Sequence, residues 1–200
     1  MIERLILVRH GETLHNVAGI AQGWNDSELS EKGQRQVRAL AERLTRFEPT
    51  AIYSSPLGRA LSTANVIAEA TGLPVETLDD LREMSYGAWE GKSFLDVRRN
   101  DLAFYHRWIA DPDCSCPDGE SHNDVLRRME RAFAAASSPR PVLVTHGTAI
   151  RIGATALLNA PVMTSLHLAQ DNAALNLFFR RGERWVMKLW NDTTHCEAVS

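Results

Sequence analysis

Two short segments carry the residue types that chemistry on an anion requires. Arg9-His10-Gly11-Glu12-Thr13 follows the apolar run Leu5-Ile6-Leu7-Val8, and Thr145-His146-Gly147-Thr148 follows Pro141-Val142-Leu143-Val144. Such continuous apolar runs read as strands buried on both faces of a mostly parallel sheet. In an open α/β sheet, ligands bind beyond the carboxyl ends of the strands. Both histidines are therefore expected at one crevice, each followed by a glycine that lets the backbone approach a ligand. Arg59 comes after Ser54-Ser55-Pro56-Leu57-Gly58, on the first turn of a helix that follows another strand, and points to the same place. Two arginines and two histidines converging on one spot make an anion site. Guanidinium forks match phosphate oxygens bidentately, and helix N-termini add backbone donors.

The elements that must position these groups can be traced from the first strand onward. Ser30 is an N-cap, and Val37, Leu40, Ala41, Leu44 and Phe47 then repeat at helical steps until Pro49. Ala51-Ile52-Tyr53 reads as the second strand, and positions 57–70 as a helix closed by Gly72 and Pro74. A third strand–helix unit comes late, with the strand at 141–145 and the helix at 149–158. Leu175-Asn176-Leu177-Phe178-Phe179 and Trp185-Val186-Met187-Lys188-Leu189, joined by a turn with Gly182, suggest a hairpin. The expected fold is a three-layer α/β/α domain over 1–200, with a mostly parallel central sheet and an antiparallel C-terminal edge. Its helical cap insertion covers about 80–137, where Tyr86, Trp89, Phe94, Phe104, Tyr105 and Trp108 supply a separate apolar body. Ser121 and Asp124 resemble a capping box that opens the helix carrying Val125, Met129 and Phe133.

Composition narrows the function classes. The chain has 22 Lys plus Arg against 25 Asp plus Glu, a net charge of −3, which argues against a nucleic-acid footprint. No apolar stretch approaches a membrane span, and no signal peptide precedes the first strand, so the expected address is the cytoplasm. Three cysteines, two of them in Cys114-Ser115-Cys116, lack zinc-site spacing; no metal or cofactor is expected.

The ordered set of motifs resembles the histidine phosphatase superfamily, also called the phosphoglycerate mutase-like family. The resemblance runs through Arg9-His10-Gly11-Glu12-Thr13 with Asn16, Gln22-Gly23-Trp24, and Leu29-Ser30 with Gly33. It continues through Ser54-Ser55-Pro56 with Arg59, Ala60, Thr63 and Ala64, Leu81-Arg82-Glu83, and Gly87 with Trp89-Glu90-Gly91. Gly119-Glu120-Ser121 and Thr145-His146-Gly147 with Arg151 complete it. It implies that His10 attacks phosphorus and becomes a phosphohistidine, kept neutral by the positive charges of Arg9 and Arg59. It further implies that Arg9, Arg59 and His146 bind the equatorial oxygens. Glu83 would be the general acid and then the base. Asn16, Gln22, Gly23, Tyr86 and Gly147 are substrate contacts by family position.

Within that family, Met84-Ser85-Tyr86-Gly87 stands where cofactor-dependent mutases carry Arg-His-Tyr-Gly, and a thioether or hydroxyl does not replace a guanidinium for an anion. The insertion is also shorter than a mutase's, and Gln22 replaces a small hydroxyl residue. The expectation is a metal-independent phosphatase acting on a small phosphomonoester. The alternatives are a cofactor-dependent phosphoglycerate mutase and a non-catalytic phosphate-ligand binding module. The expected partner is a small phosphorylated metabolite, with no nucleic acid or membrane and a homodimer admitted. Arg82, Lys92, Arg98, Arg99 and Arg107 are either a second anion site or a solvated face. His15, His106, His122, His167 and His195 read as structural or surface groups, Trp24 and Trp89 as packing, and Glu120 as part of a helix start. Glu12 is either a buried orienting partner or the reserve acid.

Overall fold

The computed structural model describes residues 2–199. Strand β1 (Arg4–Arg9) lies at the centre of a six-stranded sheet with β2 (Ala51–Ser54), β3 (Val75–Thr77), β4 (Pro141–Thr145), β5 (Leu175–Arg181) and β6 (Arg184–Asp192). Their order is β3-β2-β4-β1-β5-β6. The first four in that order run parallel, while β5 pairs antiparallel with β1 and β6 antiparallel with β5. The fold is therefore a layered α/β sheet with an antiparallel edge, and the C-terminal hairpin supplies that edge. Strand β3 was not read from the sequence: three residues after Pro74 are too few to show a period. Asn176, polar and buried in β5, repairs a register shift there. Its Nδ2 donates to the Leu7 carbonyl at 3.1 Å, and its Oδ1 accepts from the Asn191 amide at 2.8 Å.

Alternation along the buried strands divides the core into two. Ile6, Val8, Val142 and Val144 face helices α2 (Glu31–Thr45) and α3 (Gly58–Thr71), against Leu40, Leu44, Ala60 and Ile67. Leu5, Leu7 and Leu143 face the opposite layer with Val125, Met129, Ile150 and Ile152. That layer holds α6 (His122–Ala135) and α7 (Gly147–Leu158), and the Ser121–Asp124 capping box at the head of α6 is present. Between β3 and α6 lie α4 (Phe94–Asn100) and α5 (Leu102–Ala110), where Trp89, Trp108 and Phe104 pack edge to face. Helix α7 begins at Gly147, two residues earlier than its apolar pattern suggests, because His146 is an extended N-cap residue. No helix among the described residues is long and apolar enough to cross a membrane.

One contact fixes the loop after β1 against the sheet's helical layer. Ser30 caps α2 by accepting from the Gly33 amide at 3.0 Å, and its own hydroxyl donates to Glu12 Oε1 at 2.8 Å. The Glu12 amide donates to Gln36 Oε1 at 3.0 Å, and Lys32 pairs with the Glu12 carboxylate at 3.4 Å. Backbones meet so closely here that a Cβ on Gly33 would stand 2.0 Å from the Glu12 carbonyl oxygen. Gly33→Ala is therefore expected to cost about 1–3 kcal/mol through overpacking. Calorimetry should show Tm lower by about 3–10 °C for a domain of this size. An unchanged Tm would mean that α2 is free to retreat from the loop.

Candidate active site

The loops at the carboxyl ends of β1, β2 and β4 enclose a cavity of about 300 Å³. His10 stands at its base and is 2 % exposed, more deeply set than a solvent crevice would leave it. Its Nδ1 lies 2.8 Å from the Gly11 carbonyl oxygen, which can only accept; Nδ1 therefore bears the hydrogen, and the lone pair is left on Nε2. Burial, and then the charges of Arg9 and Arg59, hold the His10 pKa well below the ordinary value, so the ring is neutral. Burial thus leads here, with the arginines adding to it. The Gly11 amide donates to Thr63 Oγ1 at 3.1 Å, which ties this loop to α3. His146 sits edge-on to His10 with ring centroids 5.1 Å apart, just behind the cavity wall. Its Nε2 pairs with the Ser55 hydroxyl at 2.8 Å, and its buried Nδ1 has no partner. Burial and the charge of Arg59 keep this ring neutral as well.

The two arginines are held by backbone carbonyls, which leaves part of each guanidinium unpaired. Arg59, 2 % exposed, donates to the carbonyls of Asn25 at 2.8 Å and Gly23 at 2.7 Å and contacts Asp26 at 3.3 Å. Arg9 donates to the Gln170 carbonyl. The Nε atoms of both arginines, Gln22 Oε1 and both side-chain polar atoms of Gln170 are buried without partners, and all four residues line the same cavity. The two guanidinium groups and the Gln170 amide nitrogen are the donors an oxyanion demands, while the two amide oxygens can only accept. The Gly23 turn has φ +54°, and a Cβ there would stand 2.1 Å from Glu90 Oε1. Glu90 receives the amides of Trp24 at 3.0 Å, Asn25 at 3.2 Å and Tyr86 at 3.1 Å, and so holds this turn against the segment carrying Glu83.

Glu83 reaches the cavity from that neighbouring segment and is anchored to the start of α7. Oε1 accepts from the Met84 amide at 2.9 Å and the Ala149 amide at 3.1 Å, while Oε2 accepts from Thr148 alone, at 3.2 Å. The chain on either side is clamped. Arg128 forms a bidentate pair with Glu120, at 2.9 and 3.1 Å, and also donates to the carbonyls of Asp80 and Arg82. Glu120 in turn accepts from the Ser85 amide at 2.8 Å. The Trp24 indole N–H donates to the Glu83 carbonyl at 2.8 Å.

The cavity therefore brings together Arg9, His10, Asn16, Gln22, Gly23, Arg59, Glu83, Tyr86 and Gly147. The basic residues Arg82, Lys92, Arg98, Arg99 and Arg107 do not line it; Arg82 instead pairs with Asp79 and lies over the Trp24 ring. Arg151, a motif residue with no role assigned from the sequence, also stands on the wall, one helical turn into α7, and donates to Thr148 Oγ1 at 2.9 Å. Its position four residues after Gly147 was the available signal. Glu12 is half-buried, is tied to Ser30, Gln36 and Lys32 of the α2 start, and lies off the cavity wall with no partner on it. Glu120 does more than open a helix, since it carries the Arg128 clamp. Among the described residues no group of three or more His, Cys, Asp or Glu side chains could hold a metal ion.

A buried neutral histidine at a parallel strand end, flanked by two arginines and a second histidine from a neighbouring strand, gathers the motif residues that carry the family resemblance. The chain belongs to the histidine phosphatase superfamily (branch 1), whose family model matches residues 5–193. It is 36% identical over 197 residues to the Mycobacterium tuberculosis "Bifunctional protein Rv2228c". That match covers 95% of this chain but only 54% of the relative, so the chain spans about half the length of that protein. It is 32% identical over 204 residues to a "Probable phosphoglycerate mutase GpmB" of Yersinia pestis (strain Pestoides F), covering 97% of this chain and 95% of the relative. Among solved structures it is similar to mycobacterial glucosyl-3-phosphoglycerate phosphatase Rv2419c in complex with VO3, with a TM-score of 0.86 and 36% identity. That likeness covers 94% of this chain and 98% of the other.

The neutral histidines make stability depend on pH. His10 and His146 have folded pKa values lowered below those of the unfolded chain. As pH falls through about 6.5, the unfolded chain takes up protons that the folded state refuses, and stability is lost. Between pH 7 and pH 5 each histidine is expected to remove up to about 2 kcal/mol of unfolding free energy. Urea titrations across that range should show the fall. A stability independent of pH over the same range would mean that the rings titrate in the folded protein as they do in the unfolded chain.

Proposed function

We propose that the protein is a phosphatase that hydrolyses a small phosphomonoester through a phosphohistidine on His10, without a metal ion. The observation that carries this reading is the tautomer of His10, whose Nδ1–H is committed to the Gly11 carbonyl while Nε2 keeps its lone pair among buried guanidinium donors. Nε2 forms the N–P bond as the ester P–O bond breaks. Arg9, Arg59 and Gln22 hold the non-bridging oxygens, where charge is carried during in-line transfer. With the Ser55 hydroxyl donating to His146 Nε2, the Nδ1–H of His146 becomes a further donor. Protonated Glu83 gives its proton to the departing alkoxide, most readily from Oε2, the oxygen with the single amide partner. In the second half, water attacks phosphorus and passes a proton to the Glu83 carboxylate. The P–N bond breaks, and its electron pair returns to Nε2. Asn16, Gly23, Tyr86 and Gly147 shape the wall around the ester.

The similar Yersinia pestis protein is named a mutase, but two features here favour water as acceptor. Met84 is fully buried, and only the main-chain amide of Ser85 bonds to Glu120; neither residue lines the cavity, so the positions where mutases carry Arg-His supply no second anion site. A coupled assay for 2-phosphoglycerate from 3-phosphoglycerate with a bisphosphoglycerate primer would detect mutase activity. The intact set of His10, Glu83 and His146 argues against a module that only binds.

Two results are expected in buffer containing EDTA. Brief incubation with a labelled phosphoester should give an acid-labile, base-stable phosphoenzyme in the wild type and none in His10→Ala. Label retained in the variant would require another nucleophile. Glu83→Gln should lower kcat/KM by about 10²- to 10⁴-fold for an alkyl phosphate, the usual scale of general acid catalysis. The loss should be much smaller for p-nitrophenyl phosphate, whose leaving group needs little protonation. Equal losses on the two substrates would remove Glu83 from the acid role.

A further inference from the structure

Residues 170–173, the turn ahead of β5, lie across the loop that carries the proposed nucleophile. The Gln170 carbonyl receives Arg9 Nη1, and the Ala173 amide donates to the His10 carbonyl at 3.0 Å. Between them Asn172 sets its side-chain nitrogen against three oxygens: the His10 carbonyl at 3.3 Å, the Gly11 carbonyl at 3.4 Å and, closest, Asn16 Oδ1 at 3.0 Å. The turn is itself held from behind. Asn191 accepts from the Asp171 amide at 2.6 Å and donates to the Asp171 carboxylate at 2.8 Å, and His195 Nε2 donates to the Ala173 carbonyl at 3.0 Å. Ala173 keeps φ at +58° while fully buried, a conformation that a residue with a side chain holds where its surroundings enforce it.

The partners decide how both side-chain amides are turned. Two of the three oxygens facing Asn172 belong to main-chain carbonyls, which only accept, so the atom against them is the nitrogen. Asn16 meets the reverse situation. The Thr13 amide, which only donates, lies 3.1 Å from its oxygen, and the Thr13 hydroxyl and Asn172 Nδ2 donate to that oxygen as well, each at 3.0 Å. Oδ1 is thus taken up by the protein. Nδ2, with no partner among the described residues, is the end left free on a half-buried residue that lines the phosphate-binding cavity. The short helix Leu14–Val17 that carries Asn16 buries none of its own residues, and its first amides are received by Glu28 and Ser27 of the next loop. Packing does not hold that helix at a fixed distance from His10; the Asn172 bridge does.

We propose that Asn172 is a positioning residue that acts through Asn16, holding its amide with Nδ2 turned to the phosphoryl group at a set distance from His10. The inference rests on the phosphatase reading above, in which Asn16 lines the wall around the ester. The test is a double-mutant cycle of Asn172→Ala and Asn16→Ala, read as kcat/KM on p-nitrophenyl phosphate and as the Kd of inorganic phosphate by calorimetry. Each single change should cost about tenfold in both readings, the scale of one charge-assisted hydrogen bond. In the Asn16→Ala background, Asn172→Ala should then cost less than about twofold, because its route to the phosphoryl group is already gone. A full tenfold loss in that background would mean that Asn172 supports the fold or the His10 turn independently of Asn16, and would overturn the proposal. So would the absence of any loss in Asn172→Ala alone. Asn172→Ser, which keeps a polar group in the turn, takes the same place in the cycle if Asn172→Ala does not fold. A wild type that binds phosphate without hydrolysing the ester would remove the phosphatase reading, and the cycle on phosphate Kd would still decide the role of Asn172. A wild type that does neither would overturn both.

Discussion

Two guanidinium groups can be buried beside two imidazoles at one cavity only while the imidazoles stay uncharged. That constraint organises the molecule. It requires a carbonyl acceptor at His10 Nδ1, which the turn at Gly11 supplies. It requires other partners for the arginines, and those are carbonyls of the Gly23–Asn25 turn and of Gln170. Those turns must then be held by neighbours: Glu90 gathers three amides around the first, and the contact of Gly33 with Glu12 pins the loop after β1. Burial, which lowers the basicity of all four groups, is provided by a sheet covered on both faces by helices.

What the sequence made legible follows from how local each signal is. Leu5 to Val8 and Val142 to Val144 announce buried strands through their own composition, and His10 and His146 inherit a place from them. Arg59 is likewise fixed by the helix it opens. Glu83 has no such local frame, since its position depends on amides 65 and 66 residues away and on Arg128 from another helix. Only the family resemblance could point to it. The basic residues of the 80–137 segment were numerous enough to suggest an anion site, yet their side chains lie off the cavity. Arg151 is there because it sits one turn beyond the start of α7.

The division of labour between the sheet and the segment above it also explains why phosphatase and mutase names both occur among similar proteins. Groups that would handle the phosphoryl end hang from β1, β2 and β4, whose geometry the parallel sheet dictates. The walls above them come from α4, α5, the head of α6 and the 3₁₀ segment Val162–His167, which are joined by loops and packed by aromatic contacts.

The anchorage of Glu83 separates those two regions further. Its carboxylate is gripped by main-chain amides of Met84, Thr148 and Ala149, and every amino acid except proline supplies such an amide. Side chains at those three positions can therefore change without releasing the carboxylate. The side chains around Glu83 are thus free to drift over evolutionary time while its carboxylate stays where it is, so under the proposed function the range of esters accepted could diversify faster than the way they are broken.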